Sequence, residues 1–166
     1  MLVLLIIVAW LFLLLPFLFG FRGTSGILLF LGVFVALNGI LTQKVLPFLL
    51  SPGISPVTVG IIQLITFILL SIVSVYLAIF SNRFVQINFD PFDWVLGTVL
   101  GLAAGVVGVY FLLSFSLLAS TGSALHDSLS NTFMVHQFVE FKGWHAFLQN
   151  LHDLVSSEPK PLPDIK

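Results

Sequence analysis

The chain has no cysteine, so disulfides, thiolate nucleophiles and sulfur-ligated metals are all excluded. It is also poor in charge. Only 8% of its 166 residues are Asp, Glu, Lys or Arg, about a third of the share a water-soluble domain carries. Six basic residues and a net charge of −1 form no cluster that could neutralise phosphates, which excludes nucleic acid as a partner. What the chain has instead is apolar length. Its hydrophobic content is 58% and its mean hydropathy +1.16, values that place it in a lipid bilayer.

A bilayer core about 30 Å thick takes roughly 20 helical residues per span. Four uncharged runs meet that length. The first is Met1 to Phe21 and the second Gly23 to Gln43. The third lies in the uncharged interval Val45 to Asn82, where Pro47, Ser51, Pro52, Gly53 and Pro56 predict a loop before Val57 to Phe80 crosses. The fourth runs from Trp94 to about Ala119. The expected fold is an all-α polytopic membrane protein with four transmembrane helices and a C-terminal amphipathic helix. Residues 1–120 form the membrane domain, 121–157 a helical, amphipathic segment, and 158–166 a proline-rich flexible tail.

A secretory signal would carry a basic start and a small-x-small cleavage site. The first run has no Lys or Arg before Arg22 and ends FLFGF over Phe17 to Phe21, so it is expected to be retained as a span. Arg22 and Arg83 lie in the first and third loops and Lys44 beside the second. Positive charges near span ends resist translocation, which places loops one and three in the cytoplasm and both termini outside.

Helix-start chemistry marks the same boundaries. Asp90-Pro91-Phe92-Asp93 offers a capping carboxylate, a proline needing no donor and an acid for the positive first turn. Ser55-Pro56 repeats the pattern before the third span, and Thr24 or Ser25 can cap the second. The Asp90/Asp93 pair therefore reads as helix caps, not as catalytic acid and base.

Gly97, Gly101 and Gly105 recur every four residues in the fourth span, with Gly108 three further on. Lipid supplies no hydrophobic drive for helix association, so a glycine face marks close backbone approach. It is expected to pack within the bundle, a homodimer face being the alternative. In the third span Gln63, Thr66, Ser74 and Ser81 share a meridian with Ser71 beside it, and Asn38 and Thr42 share a side of the second. Uncharged polar groups in hydrocarbon seek partners, which predicts interhelical hydrogen bonds. No span carries an ionisable residue near its middle, which argues against a proton relay there.

After Ser123 the composition shifts, and all four histidines fall in this part. Leu125 to Phe141 is expected to be helical, with Ser123 at its start. Trp144, Phe147, Leu148, Leu151, Leu154 and Val155 recur at helical spacing opposite His145, Gln149, Asn150, His152 and Asp153, the pattern of an amphipathic helix suited to a membrane surface or a partner. His136 and Glu140 stand one turn apart, and His145 and His152 are seven apart, but a metal site needs three or four convergent ligands. No metal or cofactor is expected. Ser123, His126 and Asp127 hold the letters of a hydrolase triad, yet neighbours on one helix cannot converge, so no enzyme activity is expected either.

Two stretches resemble a known family. Gly20 to Leu29 (GFRGTSGILL) is similar to the arginine-glycine loop of the colicin V production (CvpA-type) family. Phe92 to Gly105 (FDWVLGTVLGLAAG) is similar to that family's aspartate-led, glycine-rich last span. The positions carried across are Arg22, Gly23, Asp93, Gly97, Gly101 and Gly105. Thr24 and Ser25, Trp94 and Ala104 stand where the family usually has basic residues, and an acid near the start of the first span is missing, so the likeness is to a divergent member. It implies a bacterial inner-membrane protein linked to envelope homeostasis, peptide toxin export and biofilm formation, without an enzymatic reaction. The alternative is an accessory subunit of a membrane transporter or larger complex. The partners expected are the bilayer, a second copy or another membrane protein.

Overall fold

The structure is a computed structural model that describes residues 2–50 and 53–143. The amphipathic stretch from Trp144 to Val155, with His145 and His152, and the tail 158–166 lie outside the described residues. Within them the architecture is all-helical. α1 is Leu2–Gly20, α2 Ser25–Ile40, α3 Leu46–Leu49, α4 Pro56–Phe84, α5 Asp93–Ala119 and α6 Ala124–Ser130. Short π-helical turns follow at Leu41–Val45, between α2 and α3, and at Val135–Val139, after α6.

Four helical stretches are long and apolar enough to cross a membrane: Leu2–Gly20, Ser25–Leu49, Pro56–Phe84 and Asp93–Ala119. Their outward surfaces are apolar, with Leu4, Leu37, Leu69, Tyr76 and Val99 exposed, as a bilayer requires and water does not permit at this scale. The chain is a multi-pass membrane protein. α5 is the central helix and packs on α1, α2 and α4. Its buried Val109, Phe111, Leu112, Leu113 and Phe115 form the core, and the Phe67 ring of α4 sits 5.8 Å from Phe111 and 5.5 Å from Phe115.

The second span outruns its sequence-predicted end. Pro47 lies inside the helical stretch and not in the loop, because the turn Leu41–Val45 widens to i→i+5 bonding just ahead of it. A proline removes one donor and crowds the preceding turn, and a π turn relieves both. Helix starts are mixed. Ser55 caps α4 as expected, its hydroxyl accepting from the Thr58 amide at 3.2 Å with Pro56 in the first turn. Asp90 does not cap α5. It sits in a turn before a cis Pro91, accepts from Asn88 Nδ2 at 2.8 Å, and the helix begins three residues later at Asp93.

Neither Thr24 nor Ser25 caps α2. Thr24 Oγ1 donates back to the Phe19 carbonyl at 2.8 Å, closing the end of α1 instead. Ser123 stands at the start of α6 but donates to the Ser120 carbonyl at 2.6 Å and makes no cap bond. The expected helix Leu125 to Phe141 is broken at Asn131–Thr132, where Asn131 Nδ2 turns onto the Asp127 carbonyl at 2.8 Å. Asparagine competes with the helix for its own carbonyls, which suits a helix end.

Candidate functional site

Two polar junctions lie within the bundle and a third polar group lies on its flank. The first joins the α1–α2 loop to the start of α5. Gly23, at φ +72°, makes the left-handed turn that brings the loop over the first turn of α5, and a Cβ there would stand 2.8 Å from Asp93 Oδ2. Ser25, fully buried, donates its hydroxyl to Asp93 Oδ1. Asp93 thus serves its own helix terminus and holds the first residue of α2. Arg22 stays exposed with its guanidinium 5.9 Å from the Phe19 ring, a cation–π contact.

Below this junction α5 turns its glycines to α1. A Cβ on Gly97 would reach 2.6 Å from the Gly20 carbonyl, and one on Gly105 would reach 2.9 Å from that of Leu13. Gly101 faces the Pro16 carbonyl still more closely, and Gly108 meets the Phe12 ring at 2.9 Å. The two backbones run against each other with no room for a side chain. Gly20, the partner of Gly97, escapes a search for four-residue spacing because it is a lone glycine at a helix end. Gly39 against the Phe111 ring and Gly60 against the Ala119 backbone likewise fall outside any four-residue glycine spacing.

The second junction lies between α2 and α4. Asn38 Nδ2 donates to the Leu70 carbonyl at 3.1 Å and to Ser74 Oγ, which itself donates to the Leu70 carbonyl at 2.9 Å. Gln63 Nε2 donates to the Thr42 carbonyl at 3.1 Å, and Thr42 Oγ1 donates to the carbonyls of Asn38 and Gly39. That Thr42 carbonyl is freed by the local backbone. The Leu46 amide, its α-helical donor, bonds Leu41 instead, and the next residue along, Pro47, has no N–H. Gln63 Oε1 and Ser71 Oγ are buried without a partner among the described residues. Thr66 is half-buried and stands outside this network, as does Ser81. The signal for the Gln63 bond was Pro47, whose missing N–H leaves the carbonyl of Thr42, five residues earlier, without a main-chain donor.

Arg22 at the end of α1 and Arg83 at the end of α4 lie on one face of the bundle, since α2 and α5 run the opposite way; Lys44 lies toward the other. On the flank beyond α5, Lys142 Nζ donates to Glu140 Oε2 at 2.7 Å and His136 Nδ1 stands 2.9 Å from the same oxygen. His136 and Glu140 therefore meet each other and a lysine, the arrangement of an ion pair. His126 Nδ1 lies 3.1 Å from the Leu117 carbonyl in the last turn of α5.

No family model, curated protein or solved structure matches the chain.

Proposed function

We propose that this is a non-enzymatic membrane protein of the colicin V production type, residing in a bacterial inner membrane and serving envelope homeostasis and toxin export through contacts with other membrane components. The observation that supports the reading is the meeting of the carried-over positions. Gly23 lies on Asp93, and Gly97, Gly101 and Gly105 lie on the backbone of α1, so that the arginine-glycine loop and the aspartate-led helix act as one unit. The polar side chains of the two bundle junctions bond mainly to one another and to main chain, which favours scaffold over reaction centre. The test is complementation. In a bacterial strain lacking its own protein of this type, the chain is expected to restore colicin V production, and Gly101→Leu to lose that ability. Correct membrane insertion without restoration rejects the reading.

A further inference from the structure

The described residues after α5, 120–143, do not leave the bundle. Gly122, at φ +77°, reverses the chain, and Leu129, Met134 and Val135 are then buried in the same core as Ala9 and Val109. α6 touches α1 and α5, and the π turn Val135–Val139 packs on α5. The Phe141 ring stacks on Tyr110 at 5.9 Å and 30°. Tyr110 lies nine residues before Ala119, about 13 Å from that helix end along the axis. The pairing of Gly20 with Gly97 and of Phe12 with Gly108 sets Tyr110 level with Trp10, midway along α1. The chain therefore returns to the middle depth of the spans, and it arrives there with Glu140 and Lys142 on either side of Phe141.

Two features argue against acyl chains on the polar side of this segment. Its backbone is irregular, with a break at Asn131–Thr132, a π turn and Phe141 at φ +51°. Such backbone is tolerated at membrane depth only where protein buries it or where it lines water. Its outer side also carries charge, with the Lys142 side chain 61% exposed and that of Glu140 39% exposed. Charged groups at this depth face a bundle interior or a hydrated cavity. Here the inner side is already taken by Leu129, Met134 and Val135, and the ion pair points away from it.

We propose that α6 and the π turn form a re-entrant element lining a water-filled crevice, which runs from the face bearing Lys44 to the middle of the membrane. His136, Glu140 and Lys142 form its polar wall, and it admits water and small hydrophilic ions. The proposal does not depend on the family reading above. It supplies ionisable groups at a depth where the four spans have none.

The absence of cysteine makes the test direct. Single variants His136→Cys and Lys142→Cys of the full chain in permeabilised membrane vesicles are treated with a charged, membrane-impermeant methanethiosulfonate. Ser55→Cys, in the exposed loop of the same face, is the aqueous reference, and Leu11→Cys, on the exposed side of α1 near the same depth, is the lipid reference. Both crevice variants are expected to react within about an order of magnitude of Ser55→Cys, and Leu11→Cys roughly a hundredfold more slowly, given the cost of charge in hydrocarbon. A double variant Tyr110→Cys/Phe141→Cys is expected to be joined by a short bifunctional thiol reagent. Reactivity as low as that of Leu11→Cys at both crevice positions overturns the proposal. So does free reactivity without the cross-link, which places the segment outside the membrane.

Discussion

Gln63 Nε2 donates to the Thr42 carbonyl at 3.1 Å, and in doing so one helix supplies the donor that another helix lacks. Pro47 cannot bond that carbonyl and Leu46 is engaged with Leu41, so the gap in the α2 ladder is filled from α4. In hydrocarbon a carbonyl has no water to turn to, which makes this one bond a tie between spans as well as a local repair.

Gln63→Leu is therefore expected to lower stability in detergent by about 1 kcal/mol, the order measured for hydrogen bonds between membrane helices. Pro47→Ala restores a main-chain donor five residues after Thr42. In that background the penalty of Gln63→Leu should fall by about half or more. A double-mutant cycle from reversible unfolding measures the difference, and a penalty unchanged by Pro47→Ala refutes the relation between the two residues.

The glycine contacts separate one position from another. Gly101→Ala drives a methyl into the Pro16 carbonyl, whereas the same change at Gly32 meets Ala104 at an ordinary 3.6 Å. Gly101→Ala is expected to destabilise by about 1–3 kcal/mol, as overpacking does, and Gly32→Ala to be neutral or slightly stabilising through helix propensity. Equal effects at the two positions would show that α1 does not approach α5 as described.

Ser25→Ala and Asp93→Ala should each cost about 1–2 kcal/mol, since each removes one half of a charge-assisted hydrogen bond near the membrane surface. The double variant should cost clearly less than the sum. Asp93→Asn keeps an acceptor and loses the charge at the helix N-terminus, so it is expected to fall between wild type and Asp93→Ala. Additive single effects would place the two side chains apart.

Four crossings put Arg22 and Arg83 on one membrane face and Lys44 toward the other. Arg22→Cys and Arg83→Cys should be labelled by an impermeant thiol reagent from the same side of sealed vesicles, and Lys44→Cys from the opposite side. Labelling of Arg22→Cys and Arg83→Cys from opposite sides would mean an odd number of crossings between them.

Much of this architecture was legible in the amino-acid order because a bilayer imposes a length rule that needs no partner. Four uncharged runs of about 20 residues can only be spans, and the Ser55-Pro56 start of α4 is local chemistry between residues three apart. The four-residue spacing of Gly97, Gly101 and Gly105 likewise announced a surface for close approach. What it faces is a matter of which helix lies alongside, and Gly20 and Pro16 belong to a stretch more than seventy residues earlier.

The sequence by itself determined the solvent, the number of crossings and which helix faces are polar or small, since these follow from hydropathy and periodicity along one strand of chain. Only the tertiary structure decided that Asp93 holds Ser25, and that Gln63 reaches across to the Thr42 carbonyl that Pro47 leaves without a donor. It also decided that the segment after α5 folds back against Tyr110. Each of these depends on groups brought together from distant parts of the chain, and such a contact leaves no trace in the spacing of residues until the helices are packed.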